Sequence, residues 1–399
     1  MIRVLIRLAF IKSTQACFLL LVPLLVVQSS QGESGFVATR VLESLPLLVL
    51  GLIGGVLIDR VGANRVNKIA LFVYMAPPLL LLAVHAHKLP EAALLLASLS
   101  LSAISQLLQS CGDRVVLDLV DASRLPKYNA TSILIDRFCS LCLPPLVGAL
   151  AVWNLQFALT LAVGMAGVGS IALSLMSPGR GAPEAQRIQQ VSVFRQLRIG
   201  FATLTENRFL FQLVLIAMLV NGLESIPIAY AFLYAHDGLH MNLAEIGLLA
   251  SMSGAGGLIA ASLARRLRGS KRVLLWIFVG TMASNAVVYG SVYALDNKYA
   301  LLAGKALEAF GFVFSAVSYR TLRLESTDKA LFGTISGAVG FTVKCCVPLC
   351  ILLAGALLAW ISPRDLYLTT GIAEMLLACG VAVWVRRQRV PAEPQEAFA

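Results

Sequence analysis

Apolar residues run along this chain in blocks of about twenty, cut apart by short clusters of charge, proline and glycine. A block of that length is what a helix needs to cross a hydrocarbon layer about 30 Å thick, whereas a surface helix of a soluble domain alternates apolar and polar faces. The pattern predicts spans at 8–28, 36–58, 66–86, 91–113, 129–152, 155–176, 209–234, 243–264, 273–294, 298–319, 331–359 and 366–385. That is an all-α polytopic membrane protein of twelve transmembrane helices. The first block, Ala9 to Val27, lacks a small-residue cleavage site and runs at once into another span, so it reads as a permanent helix rather than a removable leader.

The longest polar interval, Ser177 to Arg208, opens Ser-Pro-Gly-Arg-Gly-Ala-Pro and carries five arginines. It divides the chain into an N-terminal six-helix half (1–176), a cytoplasmic linker (177–208), a C-terminal six-helix half (209–385) and a short cytoplasmic tail (386–399). Within the linker, Val191 to Leu204 has the pattern of an amphipathic helix lying on a membrane surface. The halves echo one another. The second span exits through Asp59-Arg60-Val61-Gly62-Ala63-Asn64-Arg65-Val66 and the eighth through Arg266-Leu267-Arg268-Gly269-Ser270-Lys271-Arg272-Val273, with Gly and Arg-Val in register. Parallel halves of this kind predict a solute cavity between them near the midplane.

Composition agrees: 58% of residues are hydrophobic, only 13% are charged and the mean hydropathy is +0.82, against about a quarter charged in soluble domains. The net charge of +11 would suggest nucleic acid in a soluble protein. Here position decides. Of 32 Lys and Arg, 24 fall in the N-terminus, the even-to-odd loops and the tail, three (Lys88, Lys298, Arg364) on the other side, and five within spans. The positive-inside rule then places both termini in the cytoplasm of a bacterial-type inner membrane. Basic residues scattered over seven segments form no nucleic-acid-binding face.

The eight cysteines lie in or beside apolar blocks and propose no disulfide framework; Cys139-x-x-Cys142 reads as packing rather than metal ligation. His85, His87, His236 and His240 all fall in outer loops, so neither a metal centre nor another cofactor is expected. No HExxH, P-loop or intramembrane Ser-His pair supports an enzyme.

Two segments carry a family resemblance. The stretch from Gly51, Gly54 and Gly55 into Asp59-Arg60-Val61-Gly62-Ala63-Asn64-Arg65 joins a close-packing helix to a charged turn, and Asp113, Arg114 and Asp118 lie beyond it at the end of the fourth span. On residues alone this is a solvated turn or an inner gate. It resembles the signature between the second and third helices of the major facilitator superfamily, and the resemblance implies a gate charge network that breaks as two halves rock. The order Arg114, Leu119-Val120, Arg124-Leu125-Pro126 and Asn129-Ala130 is similar to the bacterial siderophore and drug exporters related to the enterobactin exporter. Pro144-Pro145 with Gly148 is similar to the proline-glycine motif of facilitator antiporters, which implies exchange; a plain helix kink is the alternative.

Ionisable residues at membrane depth are costly and default to functional candidates. Arg40 and Glu43 are three apart on one helical face, as are Lys305 and Glu308, so each pair can offset its own burial. Glu224 has no basic neighbour within a turn, and Asn221, Gly222 and Pro227 loosen its helix. A lone carboxylate in a low dielectric favours taking up a proton, which makes Glu224 the leading proton-coupling candidate. Arg137, Lys305 and Lys344 would approach a central cavity and favour an anionic solute, unless Asp136, Glu308 and Glu224 neutralise them. Gln106 closes a polar ladder with Ser98, Ser102, Ser105 and Gln109 on the fourth span. The expected function is secondary active transport of a small organic solute by a monomer in the lipid bilayer, driven outward by protons, with a siderophore-like anion preferred. A broad drug exporter or a proton-coupled importer is the alternative.

Overall fold

The computed structural model describes residues 2–29, 32–119, 125–176, 193–264, 270–326 and 332–388; the side chains at 51–60, 63–64 and 112–119, among others, lie outside that description. The described residues form twelve helical columns and one connecting helix. The N-terminal half holds α1 (Ile2–Val27), α2 (Gly32–Val61), a column made of α3 (Ala63–Val73) and α4 (Ala76–His85), α5 (Ala93–Leu119), α6 (Leu125–Trp153) and α7 (Leu155–Met176). A connecting helix α8 (Val193–Glu206) leads to α9 (Arg208–Leu233), which continues as a π turn over Tyr234–Gly238, and then α10 (Leu243–Ala264), α11 (Lys271–Leu295), α12 (Lys298–Glu325), α13 (Phe332–Leu357) and α14 (Pro363–Arg387). Ten columns are long and apolar enough to cross a membrane by composition; α2, with 30 residues, and α7, with 22, complete the twelve.

The third span departs from its expected continuity. It breaks at Tyr74–Met75 because Pro77 and Pro78 cannot donate to the carbonyls of Val73 and Tyr74, so the helix restarts with proline in its first turn. The turn from α2 to α3 is made by Gly62 at φ +90°, a conformation that strains any L side chain.

Seams between the halves run where α6 meets α10 and α2 meets α13. Along the first, backbones touch: a Cβ on Gly247 would meet the carbonyl of Pro144, and one on Gly148 the carbonyl of Leu243. Pro145 deprives the Leu141 carbonyl of its helical donor, and the Ser251 hydroxyl of α10 donates to that oxygen at 2.6 Å. The proline pair therefore stays inside an unbroken helix, its freed acceptor satisfied by the opposite half.

Packing differs between the two ends of the bundle. At the end away from the chain termini, one apolar core joins both halves, including Leu21 and Leu24 of α1, Phe36 of α2, Val147 of α6, Tyr230 and Leu233 of α9, Ile246 of α10 and Ile351 of α13. Phe36 packs against Tyr230 and Phe232, and the Tyr230 hydroxyl donates to the Ile351 carbonyl at 2.7 Å. Toward the termini the described cores separate by half. Leu71, Tyr74 and Leu108 belong to one half, and Leu275, Phe278 and Leu322 to the other. Among the described residues, the bundle is sealed at its far end and its cores are divided at its termini end.

Substituting Gly247→Val should force α10 off α6 and lower stability by about 1–3 kcal/mol through overpacking. Ser251→Ala, by orphaning the Leu141 carbonyl, should cost about 1 kcal/mol. Thermal unfolding midpoints of the purified protein in detergent check both; midpoints equal to the parent's would contradict the backbone seam.

Candidate functional site

Charged side chains within the bundle sort into satisfied pairs and a surplus. Lys12 on α1 pairs with Asp136 on α6 at 3.0 Å, Arg40 with Glu43 on α2 at 2.7 Å, and Lys305 with Glu308 on α12 at 3.0 Å. The two i,i+3 pairs are those expected from spacing. Arg40 also lies over the Phe36 ring, 5.0 Å from its centroid, and the Glu43 carbonyl accepts from Ser102 of α5 at 2.5 Å. The α2 pair is thereby built into the far-end packing.

The cations expected to share one cavity have separate surroundings. Asp136 is taken by Lys12 and does not neutralise Arg137, whose guanidinium lies against Gly257 of α10 and makes no salt bridge among the described residues. Lys305 is held by Glu308, and Lys344 is exposed on α13. Gln106 is half-buried on α5, while its ladder neighbour Ser98 bonds back to the Leu94 carbonyl.

Of the gate residues, Gly55, Asp59 and Arg60 fall on α2 and Asp113, Arg114 and Asp118 on α5, but their side chains are outside the described set; Arg124 is outside it altogether. Arg65 is exposed on α3 beside the Gly62 turn. Pro144, Pro145 and Gly148 sit in the α6–α10 seam, so their described role is packing between halves.

A second group gathers inside the C-terminal half. Glu224 of α9, Asn285 of α11, Glu308 of α12 and Glu374 of α14 are all at most 5% exposed. Each stands nine to eleven residues from the far end of its helix, which at 1.5 Å per residue puts all four at one depth, about 14–17 Å in. The Asn285 amide donates to Glu224 Oε1 at 2.8 Å. Glu374 makes no hydrogen bond with either oxygen among the described residues, although it is within electrostatic reach of Glu224 and Glu308. Three carboxylates thus share one lysine.

Glu224 also opens on a cavity of about 260 Å³ in the termini-side part of this half. Its walls come from α9 (Ala217, Val220, Asn221, Glu224), α11 (Phe278), α12 (Phe312, Ser315, Ala316, Tyr319, Arg320, Arg323) and α13 (Val343). The cavity therefore offers one acid at its inner end, two guanidinium groups toward the termini and aromatic faces between. Arg320 and Arg323 escape a reading based on loop charge, because they lie in the first turn after the apolar stretch that marks the span. Asn285 and Glu374 escape it because their meaning depends on helices far apart in sequence.

Comparison with known proteins adds to this geometry. A family model described as Major Facilitator Superfamily matches residues 9–347. The chain belongs to the Major Facilitator Superfamily. No curated relative matches the sequence. Among solved structures, this facilitator is similar to the POT family transporter PepTSo (TM-score 0.75, 12% identity, covering 96% of this chain and 97% of that one). It is also similar to the nucleoside transporter NupG (TM-score 0.72, 13% identity, 97% and 99% covered). A third is a bacterial homologue of the iron transporter ferroportin in an inward-facing state (TM-score 0.67, 17% identity, 97% and 98% covered). At these identities the likeness is one of fold. The facilitator is a multi-pass membrane transporter, and the expectation that it is not an enzyme agrees with its family.

Glu308→Gln should remove the only carboxylate in direct contact with buried Lys305, leaving Glu224 within electrostatic reach, and destabilise the facilitator by about 3 kcal/mol, whereas Lys305→Met combined with Glu308→Leu should recover most of that loss. Unfolding midpoints decide it: equal midpoints for parent and Glu308→Gln would mean that the pair carries no such burden.

Proposed function

We propose that this facilitator exchanges protons for a small, hydrophilic organic anion, moving the anion outward by rocking its two halves. The observation that carries the proposal is the cavity in which Glu224 stands at one end and Arg320 and Arg323 at the other. Guanidinium groups with nearby hydroxyls suit a carboxylate- or phenolate-bearing solute. Glu224, the acid on the cavity wall, is bonded by a neutral amide rather than a cation and supplies a group that can bind and release a proton as access changes. With both termini in the cytoplasm, as the distribution of lysine and arginine favours, the sealed end faces outward and the divided end inward. The monomer is the functional unit in this reading, because each chain carries both halves, and the lipid bilayer is its surround.

The preferred solute class is a siderophore-like chelator, following the resemblance of the Arg114–Ala130 segment to siderophore exporters. A structural neighbour named as a homologue of an iron transporter is compatible with that choice but does not select it. Phe278, Phe312 and Tyr319 on the cavity wall favour a second reading, export of amphipathic drugs through the same cavity.

Inverted membrane vesicles test both readings with labelled catecholate and hydroxamate chelators and with ethidium as a cationic drug probe. We expect accumulation of an anionic chelator that requires an imposed pH gradient and falls to the level of empty vesicles in Glu224→Gln. Unchanged gradient-driven movement in that variant would remove Glu224 from the mechanism, and accumulation of ethidium alone would favour the drug reading.

A further inference from the structure

Four sulfur atoms meet on the seam between α9 and α13, beside the solute cavity and apart from the buried charges. Met218 Sδ lies 3.5 Å from the Cys345 thiol, which also donates to the Thr342 carbonyl at 3.1 Å. Farther toward the far end, Cys346 and Cys350 close on Gly222: a Cβ placed on that glycine would stand 2.8 Å from Cys350 Sγ and 3.1 Å from Cys346 Cβ. These two thiols, four residues apart on one helical face, are within hydrogen-bonding reach of each other. Both are half-buried rather than sealed.

Their surroundings tie the pair to the solute site. Val343, one turn before Cys346, and Asn221, the neighbour of Gly222, both line the cavity. Counted from the far end of α13 at 1.5 Å per residue, Cys346 and Cys350 stand about 16 and 10 Å in and bracket the depth of Glu224. Pro348 lies between them and withholds the helical donor from the Lys344 carbonyl, so this turn of α13 adjusts its pitch more readily than an unbroken one.

Small-residue packing accounts for Gly222 but not for its partners. Alanine or serine would let α9 and α13 approach as closely and would carry no soft donor. Paired thiols at one point supply two polarizable sulfur ligands that hold a soft ion as thiolates. Ligand count and charge narrow the class. No third histidine, cysteine or carboxylate forms a metal-sized group with the pair among the described residues, so the four-ligand shell of zinc does not assemble there. A two-coordinate soft ion needs only the pair. An uncompensated charge is costly in an apolar seam, and two thiolates balance an ion of charge +2.

We propose that Cys346 and Cys350 form a binding site for a soft divalent cation of the mercuric class, and that loading this site arrests transport. The ion displaces one proton from each thiol to water and forms two metal–sulfur bonds with no change of oxidation state, which leaves an uncharged complex. It fixes the turn of α13 that carries Val343 to the cavity wall, on a helix that also packs against α2 of the opposite half. The arrest rests on the reading of that cavity as the solute site. The binding does not.

The test loads the full-length protein in liposomes with mercuric chloride, strips singly held metal with an excess of a monothiol, and reads the intact mass. One mercury, with two protons lost, should remain on the parent and on the double variant Cys139→Ala with Cys142→Ala, and should be absent from Cys346→Ala and from Cys350→Ala. Loading should bring gradient-driven accumulation of the catecholate chelator down to the level of empty vesicles in the parent and leave it unchanged in Cys346→Ala. Metal retained by both single variants would overturn the site, as would a parent that keeps none. A parent that holds the metal and transports unhindered would overturn the arrest. Metal held by the pair in a parent that moves no chelator even before loading would support the site and defeat the proposed solute.

Discussion

Everything in this bundle follows from the cost of carrying charge through an apolar interior. A carboxylate or ammonium removed from water must find an opposite charge, a set of hydrogen bonds or a proton. Lys12 with Asp136 and Arg40 with Glu43 take the first solution, and they tie helices together within the N-terminal half or along one helix. The C-terminal half takes it only in part. Lys305 serves Glu308, while Glu224 accepts from the Asn285 amide and Glu374 stands near that same amide with no cation paired to it among the described residues. That imbalance is what separates a structural arrangement from one that can change its charge during a cycle.

The seam between halves answers a different demand. No hydrophobic drive distinguishes helix from lipid, so association rests on close packing and on hydrogen bonds that have no other partner. Glycines let α6 and α10 approach to backbone contact, and Ser251 supplies the donor that Pro145 withholds. The one guanidinium set in that seam, Arg137 against Gly257, makes no salt bridge among the described residues, so parting the helices breaks no ion pair described there. The aromatic packing of Phe36, Tyr230 and Phe232 closes the same end.

Much of this is legible in the chain before it folds. Apolar blocks of constant length reveal the columns, because lipid imposes one thickness on all of them. Three-residue spacing reveals Arg40–Glu43 and Lys305–Glu308, because both partners ride one helix. Gly62 declares its turn. What depends on contacts between distant helices stays hidden: Lys12 captures Asp136 away from the adjacent Arg137, and Asn285 reaches Glu224 across 61 residues. Arg320 and Arg323 look like topological charge in a linear reading, since the cavity they line also takes its walls from α9, α11 and α13. The third span hides its break from a reading of apolar block length alone, although Pro77 and Pro78 lack the donors that a continuous helix needs.

The central claim is that protonation within the C-terminal half governs which end of the bundle is sealed. Spin labels on the exposed positions Arg65 of α3 and Arg272 of α11, at the termini end of opposite halves, measure it most directly in liposomes. The account predicts two distance populations whose ratio moves with pH in the parent and is frozen in Glu224→Gln. A single population that ignores both pH and the substitution would contradict it.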